Sequence, residues 1–115
     1  MNRLTQDEIK IIKKKFRNNK SYEFLRQYIE IIGNEDRFTI LNLLSKKPCL
    51  LSDIENRLNR SQPTISHHIR ILEKHKLVYS FKKGKFKKYS ISRETFVKLL
   101  RSWNQWFYAI RSRND

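Results

Sequence analysis

Two short capped stretches joined by one or two residues, a lysine-rich hairpin directly after them, and long amphipathic stretches on either side predict the fold class. It is a mainly α-helical chain with a small β-hairpin wing, a winged helix-turn-helix whose extra N- and C-terminal helices form a dimer interface. The 115 residues suit one domain over 1–115, with N-terminal helices in 1–33, a winged core in 34–92 whose wing spans 77–92, and a C-terminal dimerisation helix in 93–115. A composition of 38% apolar and 12% aromatic residues, with two Gly and two Pro, is that of a helical chain able to bury a core without disulfides or a structural metal.

The first helix opens on the capping-box pattern Thr5-Gln6-Asp7-Glu8 and sets Ile9, Ile12 and Phe16 on one stripe opposite Lys10, Lys13, Lys14 and Arg17. After Asn18-Asn19-Lys20-Ser21, the residues Leu25, Tyr28, Ile29 and Ile32 recur at helical spacing up to Gly33, which stands where a helix end wants a residue free of Cβ. Asn34 caps a third helix with Phe38, Leu41 and Leu44 inward, stopped by Lys46-Lys47-Pro48. Ser52-Asp53-Ile54-Glu55 reads as a second capping box, opening a short helix that buries Leu51, Ile54 and Leu58 and ends near Asn59.

Its neighbour starts at Ser61-Gln62-Pro63, with Ser61 as N-cap and Pro63 in the first turn, where its missing N–H costs nothing, and turns Ile65, Ile69 and Leu72 inward. From Leu77 the period falls to two. Leu77, Tyr79 and Phe81 alternate with Val78 and Ser80, and Tyr89 and Ile91 answer them after a turn around Gly84. Ser92 then opens a long helix with Phe96, Leu99, Leu100, Trp103, Trp106, Phe107 and Ile110 on one side.

The charge calls for a polyanion. The formal net charge is +15, and residues 61–92 set eight Lys or Arg against Glu73 alone. In the winged plan the second helix of the pair enters the major groove. Its candidates are Ser61, Gln62, Pro63, Thr64, Ser66, His67 and Arg70, the side opposite Ile65, Ile69 and Leu72. The Gln62 amide can bridge an adenine edge, Arg70 can reach guanine or phosphate, and His67 can share a hydrogen bond near neutral pH. His68 faces the seam and is expected to satisfy a backbone carbonyl, and His75 to answer the dipole at a helix end. Lys82, Lys83, Lys85, Lys87 and Lys88 crowd around Gly84, more cations than edge protection needs, and are the candidates for holding phosphates.

The stretches Ile32-Gly33-Asn34-Glu35-Asp36-Arg37-Phe38 through Ile40-Leu41-Asn42-Leu43-Leu44, Ser61-Gln62-Pro63-Thr64-Ile65-Ser66-His67-His68-Ile69, Ile71-Leu72-Glu73 and Leu77-Val78 resemble the ArsR-type winged-helix regulators. The resemblance implies a homodimeric repressor paired through its terminal helices, and it points independently to Gln62, Pro63, Ser66 and His67 as groove residues. In that reading Ile9, Ile12, Phe16, Phe96, Leu99, Leu100, Trp103, Trp106, Phe107 and Ile110 form the interface, and the partner is double-stranded DNA bearing an inverted repeat. One departure is that His75-Lys76-Leu77 lacks the Gly that often closes the recognition helix, so that either Lys76 holds a left-handed backbone or the helix ends differently, which leaves the angle of the wing open.

The family's metal-sensing chemistry is not expected here. The helix that carries paired thiols in such sensors reads Leu50-Leu51-Ser52-Asp53, the last helix has neither His nor Cys, and Cys49 stands alone as a small buried hydrophobe. No phosphate loop and no nucleophile-base pairing is legible, so neither catalysis nor a cofactor is expected. One cysteine, no apolar run of about 18 residues and no signal-peptide core suit the cytoplasm and no membrane. Two alternatives stay open: an architectural protein that coats DNA with little sequence preference, and a winged protein-interaction module of the transcription machinery.

Overall fold

Three helix starts in this chain, at Thr5, Asn34 and Ser61, are set by side chains that replace missing backbone partners. A computed structural model describes residues 3–18 and 20–112, with the backbone alone for 13–18. The elements run α1 (Gln6–Asn18), α2 (Lys20–Ile32), α3 (Glu35–Lys46), β1 (Cys49–Leu50), α4 (Leu51–Leu58), α5 (Gln62–Lys74), β2 (Val78–Lys83), β3 (Phe86–Ile91) and α6 (Arg93–Arg111). Thr5 and Glu8 close the predicted box, the Glu8 N–H donating to Thr5 Oγ1 at 3.1 Å and the Thr5 N–H to Glu8 Oε1 at 3.4 Å. Asn34 Oδ1 accepts from the Arg37 N–H at 3.1 Å, and Ser61 Oγ from the Thr64 N–H at 3.4 Å. A Cβ on Gly33 would lie 2.9 Å from the Ile29 carbonyl oxygen, so the close turn at the end of α2 does want a residue without one.

The start of α4 differs from the expected box. Cys49 and Leu50 form a short strand against Tyr89 and Lys88, and the chain passes from it straight into helix at Leu51. Asp53 therefore accepts from the Leu50 N–H, at 3.1 Å, and Ser52 does not act as the cap.

The core gathers one face of every element from α2 onward. Ile40, Ile54, Ile65, Leu72 and Leu77 are fully buried, with Leu25, Tyr28, Ile31, Leu41, Leu44, Val78, Tyr89 and Leu99 around them. The sheet has the order β1-β3-β2, antiparallel throughout. Its register pairs Val78 with Ile91 and Ser80 with Tyr89, which turns those four toward the core. The alternation is thus in the opposite phase to the one first expected: Leu77 is buried ahead of the strand, Val78 follows it inward, and Tyr79 points to solvent.

The junction between α5 and β2 is closed by a lysine in the left-handed region, Lys76 at φ 59°. Its N–H donates to Glu73 O at 3.0 Å and the Leu77 N–H to Leu72 O at 2.9 Å, the two bonds of a Schellman motif usually built on Gly. The carbonyls this leaves free are taken from outside. The Tyr28 hydroxyl of α2 donates to His75 O, and Thr95 Oγ1 of α6 donates to Lys76 O at 2.5 Å. The His75 ring has Nδ1 2.9 Å from Ile71 O at the helix end, where a dipole partner was expected, and also reaches α2, with Nε2 3.5 Å from Gln27 Nε2 and its ring edge-on to Tyr28.

The front of α5 is tied to α3 by a polar cluster. Arg60 donates from Nε to Asp36 Oδ2 at 3.1 Å, and His68 Nε2 stands 3.6 Å from the same oxygen. Arg37 brings Nη1 to 3.5 Å from His68 Nδ1 while its Nε donates to Ile31 O at 2.7 Å. His68 is buried, as expected, but its neighbours are these side chains and not a backbone carbonyl. Burial, followed by the Arg37 guanidinium, holds its imidazole below the ordinary value.

Three outcomes follow from these contacts. Lys76→Gly should raise stability by about 1 kcal/mol, since the left-handed backbone penalises any residue with a Cβ, and thermal unfolding would show a rise of a few degrees. Tyr28→Phe should cost about 1–2 kcal/mol in urea unfolding because the His75 carbonyl loses its partner. For His68 the folded pKa lies below the unfolded one, so between the two the unfolded chain binds the extra proton and stability rises with pH. Unfolding at about pH 5 and about pH 8 should show wild type losing stability on acidification and His68→Gln losing less.

Candidate nucleic-acid interface

The buried stripe of α5 leaves the opposite stripe in solvent. Ile65, His68, Ile69 and Leu72 face the core, while Gln62, Pro63, Thr64, His67, Arg70 and Lys74 are exposed and Ser66 is half-buried. Pro63, His67, Arg70 and Lys74 follow one another at intervals of four, three and four, so they line a single ridge along the helix. Gln62 stands at the N-terminal tip of that ridge, where no other side chain overhangs it in sequence order. Ser61 and Thr64 are at the same tip, but their hydroxyls lie 2.9 Å apart and face each other within the cap. The structure thus brings together all seven candidates of this helix, with the cap pair already partnered and Gln62, His67 and Arg70 the most available polar groups.

The wing follows directly. The pairing of Lys83 with Phe86 leaves a two-residue loop, Gly84-Lys85, with Gly84 at φ 63° as the first central position of a type II′ hairpin turn requires. Beyond the Leu50–Lys88 pair no third strand accompanies the hairpin, so its outer half projects. Lys82, Lys83, Lys85 and Lys87 lie on this outer half and are exposed, and Lys88 stands at its base, half-buried beside Leu50. Lys82 and Lys87 are directly opposed across the strands, a like-charge pair that works against the hairpin in the absence of counter-charge. Lys87 Nζ lies 5.4 Å from the Tyr89 ring centroid and Lys85 Nζ 5.6 Å from that of Phe86, which offsets part of the repulsion. Phe86 itself, exposed at the tip, was not among the candidates read from the sequence; its place directly after the Gly84-Lys85 turn was the available signal.

The apolar stripe of the terminal helices is divided. Leu99 is buried against α2, with Phe96 and Trp106 half-buried beside it, whereas Leu100, Trp103, Phe107 and Ile110 remain exposed. Ile9 is half-buried and Ile12 exposed; the Phe16 side chain lies outside the described residues. Between α2, α3 and α6 runs an open apolar groove of about 480 Å³ lined by Ile29, Ile32, Phe38, Phe96, Leu100 and Trp103 among others.

Two remaining groups bear on chemistry. Cys49 is buried with Sγ 3.4 Å from the Lys47 carbonyl oxygen, and burial together with the Asp53 carboxylate pushes its thiol up, so the thiolate is disfavoured. Among the described residues no three His, Cys, Asp or Glu side chains gather as a metal site would need, and no helix is long and apolar enough to cross a membrane.

Comparison with known proteins places this geometry. A family model described as bacterial regulatory protein, arsR family, matches residues 34–80, from the Asn34 cap into β2. The arsenical resistance operon repressor of Staphylococcus xylosus is 32% identical over 74 residues, 64% of this chain and 71% of that protein. The transcriptional repressor SdpR of Bacillus subtilis is 32% identical over 68 residues, 59% of this chain and 76% of that one. The solved structure of an ArsR-like transcriptional regulator from Rhodococcus sp. RHA1 superposes with a TM-score of 0.64 at 26% identity, over 79% of this chain and 92% of its own. The chain belongs to the arsR family of bacterial regulatory proteins, and it is a DNA-binding transcriptional regulator rather than an enzyme.

Proposed function

We propose that this regulator is a homodimeric repressor that binds an inverted repeat in duplex DNA and blocks transcription by occupying it. The observation that carries the reading is the exposed ridge of α5, polar and cationic along its length, leading into a hairpin whose lysines oppose one another for want of anions. In the major groove Gln62 bridges an adenine edge, Arg70 takes guanine or phosphate and His67 shares a hydrogen bond with a base. Ser61, Pro63, Thr64 and Ser66 bring the helix tip close to the bases. Lys82, Lys83, Lys85, Lys87 and Lys88 hold phosphates on either side of the adjacent groove.

The dimer is supported by shape and by surface. The described chain spans 60 × 26 × 22 Å with a radius of gyration of 18.3 Å, against about 13 Å for a compact chain of this length. The excess comes with apolar surface that a lone copy leaves wet, above all Leu100, Trp103, Phe107 and Ile110 of α6, and Ile12 of α1. A second copy related by a two-fold axis covers that surface and sets two recognition helices about one turn of DNA apart. The boundaries expected from the sequence serve this division of labour, with 1–33 and 93–115 pairing the copies and 34–92 meeting DNA. The relatives named as repressors favour repression over activation. Lacking a thiol pair or a His-carboxylate set on these helices, the regulator answers a signal other than a bound metal and works in the cytoplasm beside its DNA.

The test is a mobility shift against the chain's own upstream region and a random duplex of equal length, across about 50–300 mM salt. The expected preference is about a thousandfold; equal binding to both duplexes would replace the repressor with a DNA-coating protein. Gln62→Ala should cost about tenfold to a hundredfold on the preferred site and almost nothing on random duplex. Lys85→Ala and Lys87→Ala should weaken both equally and each flatten the slope of log affinity against log salt by about one. Leu100→Glu, at a position 58% exposed in one copy, should leave the helical circular dichroism unchanged and convert the dimer to monomers in sedimentation.

A further inference from the structure

Phe86 is the first residue after the wing's turn, and it is 51% exposed. The pairing places it on the same hairpin face as Lys83, Phe81 and Lys88, opposite the face that carries Tyr89 into the core. Trp103 and Phe107 have ring centroids 4.7 Å apart and Tyr79 lies 6.0 Å from half-buried Phe81, whereas Phe38, Tyr108 and Phe86 are exposed with no ring beside them among the described residues, and of these three Phe86 alone is on the wing. Phe86 has no aromatic neighbour among the described residues, and its ring meets the Lys85 ammonium instead. It stands within a run of five lysines, at the tip of the hairpin beyond the Leu50–Lys88 pair where the third strand stops.

Lysines alone are enough to hold a phosphate backbone, and an apolar ring adds nothing to that task. A partner that uses both must carry rows of anions with apolar surface between them. Duplex DNA presents this in its minor groove, where deoxyribose walls and base-pair edges lie between two lines of phosphate about 6 Å apart. A narrow two-residue turn with a single protruding ring fits such a slot, while the flanking lysines remain level with the phosphates.

We propose that Phe86 enters the minor groove flanking each recognition-helix site and acts as an apolar wedge against one base step. This rests on the duplex-binding reading above and adds a source of sequence preference to it. The ring makes no directional hydrogen bond, so it reads deformability: steps that unstack easily, pyrimidine followed by purine, accept it at lowest cost.

The experiment uses the full-length protein and a duplex carrying its footprinted half-sites, with 2-aminopurine moved step by step through the flanking minor-groove segment. Wild type should raise the fluorescence at one step on each side, and Phe86→Ala should abolish the rise and weaken binding about tenfold. The salt slope should stay that of wild type, since no cation is lost, which separates this effect from that of the lysines. Phe86→Leu, which keeps an apolar wedge on the same hairpin, should retain most of the affinity and part of the fluorescence.

The proposal is overturned if Phe86→Ala binds within about twofold of wild type with the fluorescence unchanged, or if the leucine variant is as weak as the alanine one. In either case wild type still binds duplex and the regulator reading stands. A wild-type protein that ignores duplex altogether would instead defeat that reading. Loss of binding to phosphatidylserine vesicles in Phe86→Ala, with duplex binding intact, would overturn the wedge in favour of a lipid-facing ring.

Discussion

The closure of α5 at Lys76 sets how the exposed helix ridge and the lysine-rich wing stand to one another. A helix that enters DNA must end abruptly if a hairpin is to start beside it, and the chain turns within two residues by putting a lysine in the left-handed region. That conformation costs energy for any residue with a Cβ, so something must hold it. The holding groups come from both sides: Tyr28 on α2 caps the His75 carbonyl and Thr95 on α6 caps that of Lys76. The junction between helix and wing is therefore bonded to both α2 and α6.

Charge and apolar surface are segregated to suit that arrangement. Residues 61–92 hold eight cations and one acid, and α6 ends in Trp103, Trp106, Phe107 and Ile110. Putting like charges opposite one another at Lys82 and Lys87 weakens the free hairpin, and two cation–π contacts recover only part of the loss. The wing is held by its pairing and by Val78 and Tyr89 in the core, and a polyanion would relieve the charge repulsion that remains. The front of α5 is handled differently: the one acid there, Asp36, is spent on Arg60 and His68, so it anchors the helix without lowering the positive potential along the exposed ridge.

How much of this could be read from residues alone depended on whether the signal was local. The caps Thr5, Asn34 and Ser61, the turn at Gly84 and the left-handed Lys76 are decided within a few residues and were legible. The two-residue strand β1 was not, because Cys49 and Leu50 become a strand only through Tyr89 and Lys88, about forty positions on. With it, the cap of α4 falls at Leu50 and not at Ser52. The phase of β2 failed for a related reason: Leu77 and Val78 are both buried, one by the helix junction and one by the sheet, and period-two counting cannot separate them. Phe86 escaped because an aromatic in a strand pattern reads as core until the register shows which face it is on.

The same locality bears on which residues can carry sequence information. Ser61, Pro63 and Thr64 lie at the helix tip, and each serves the start of the helix: Ser61 and Thr64 bond to each other, and Pro63 fixes the first turn. Change at these positions alters folding and binding together. Gln62, His67 and Arg70 have no such duty in the fold; none caps, none packs in the core, and all are exposed. In the proposed complex, discrimination among sequences rests on these three positions, whose substitution removes no cap and no core contact and so keeps the same helix, the same closure and the same wing.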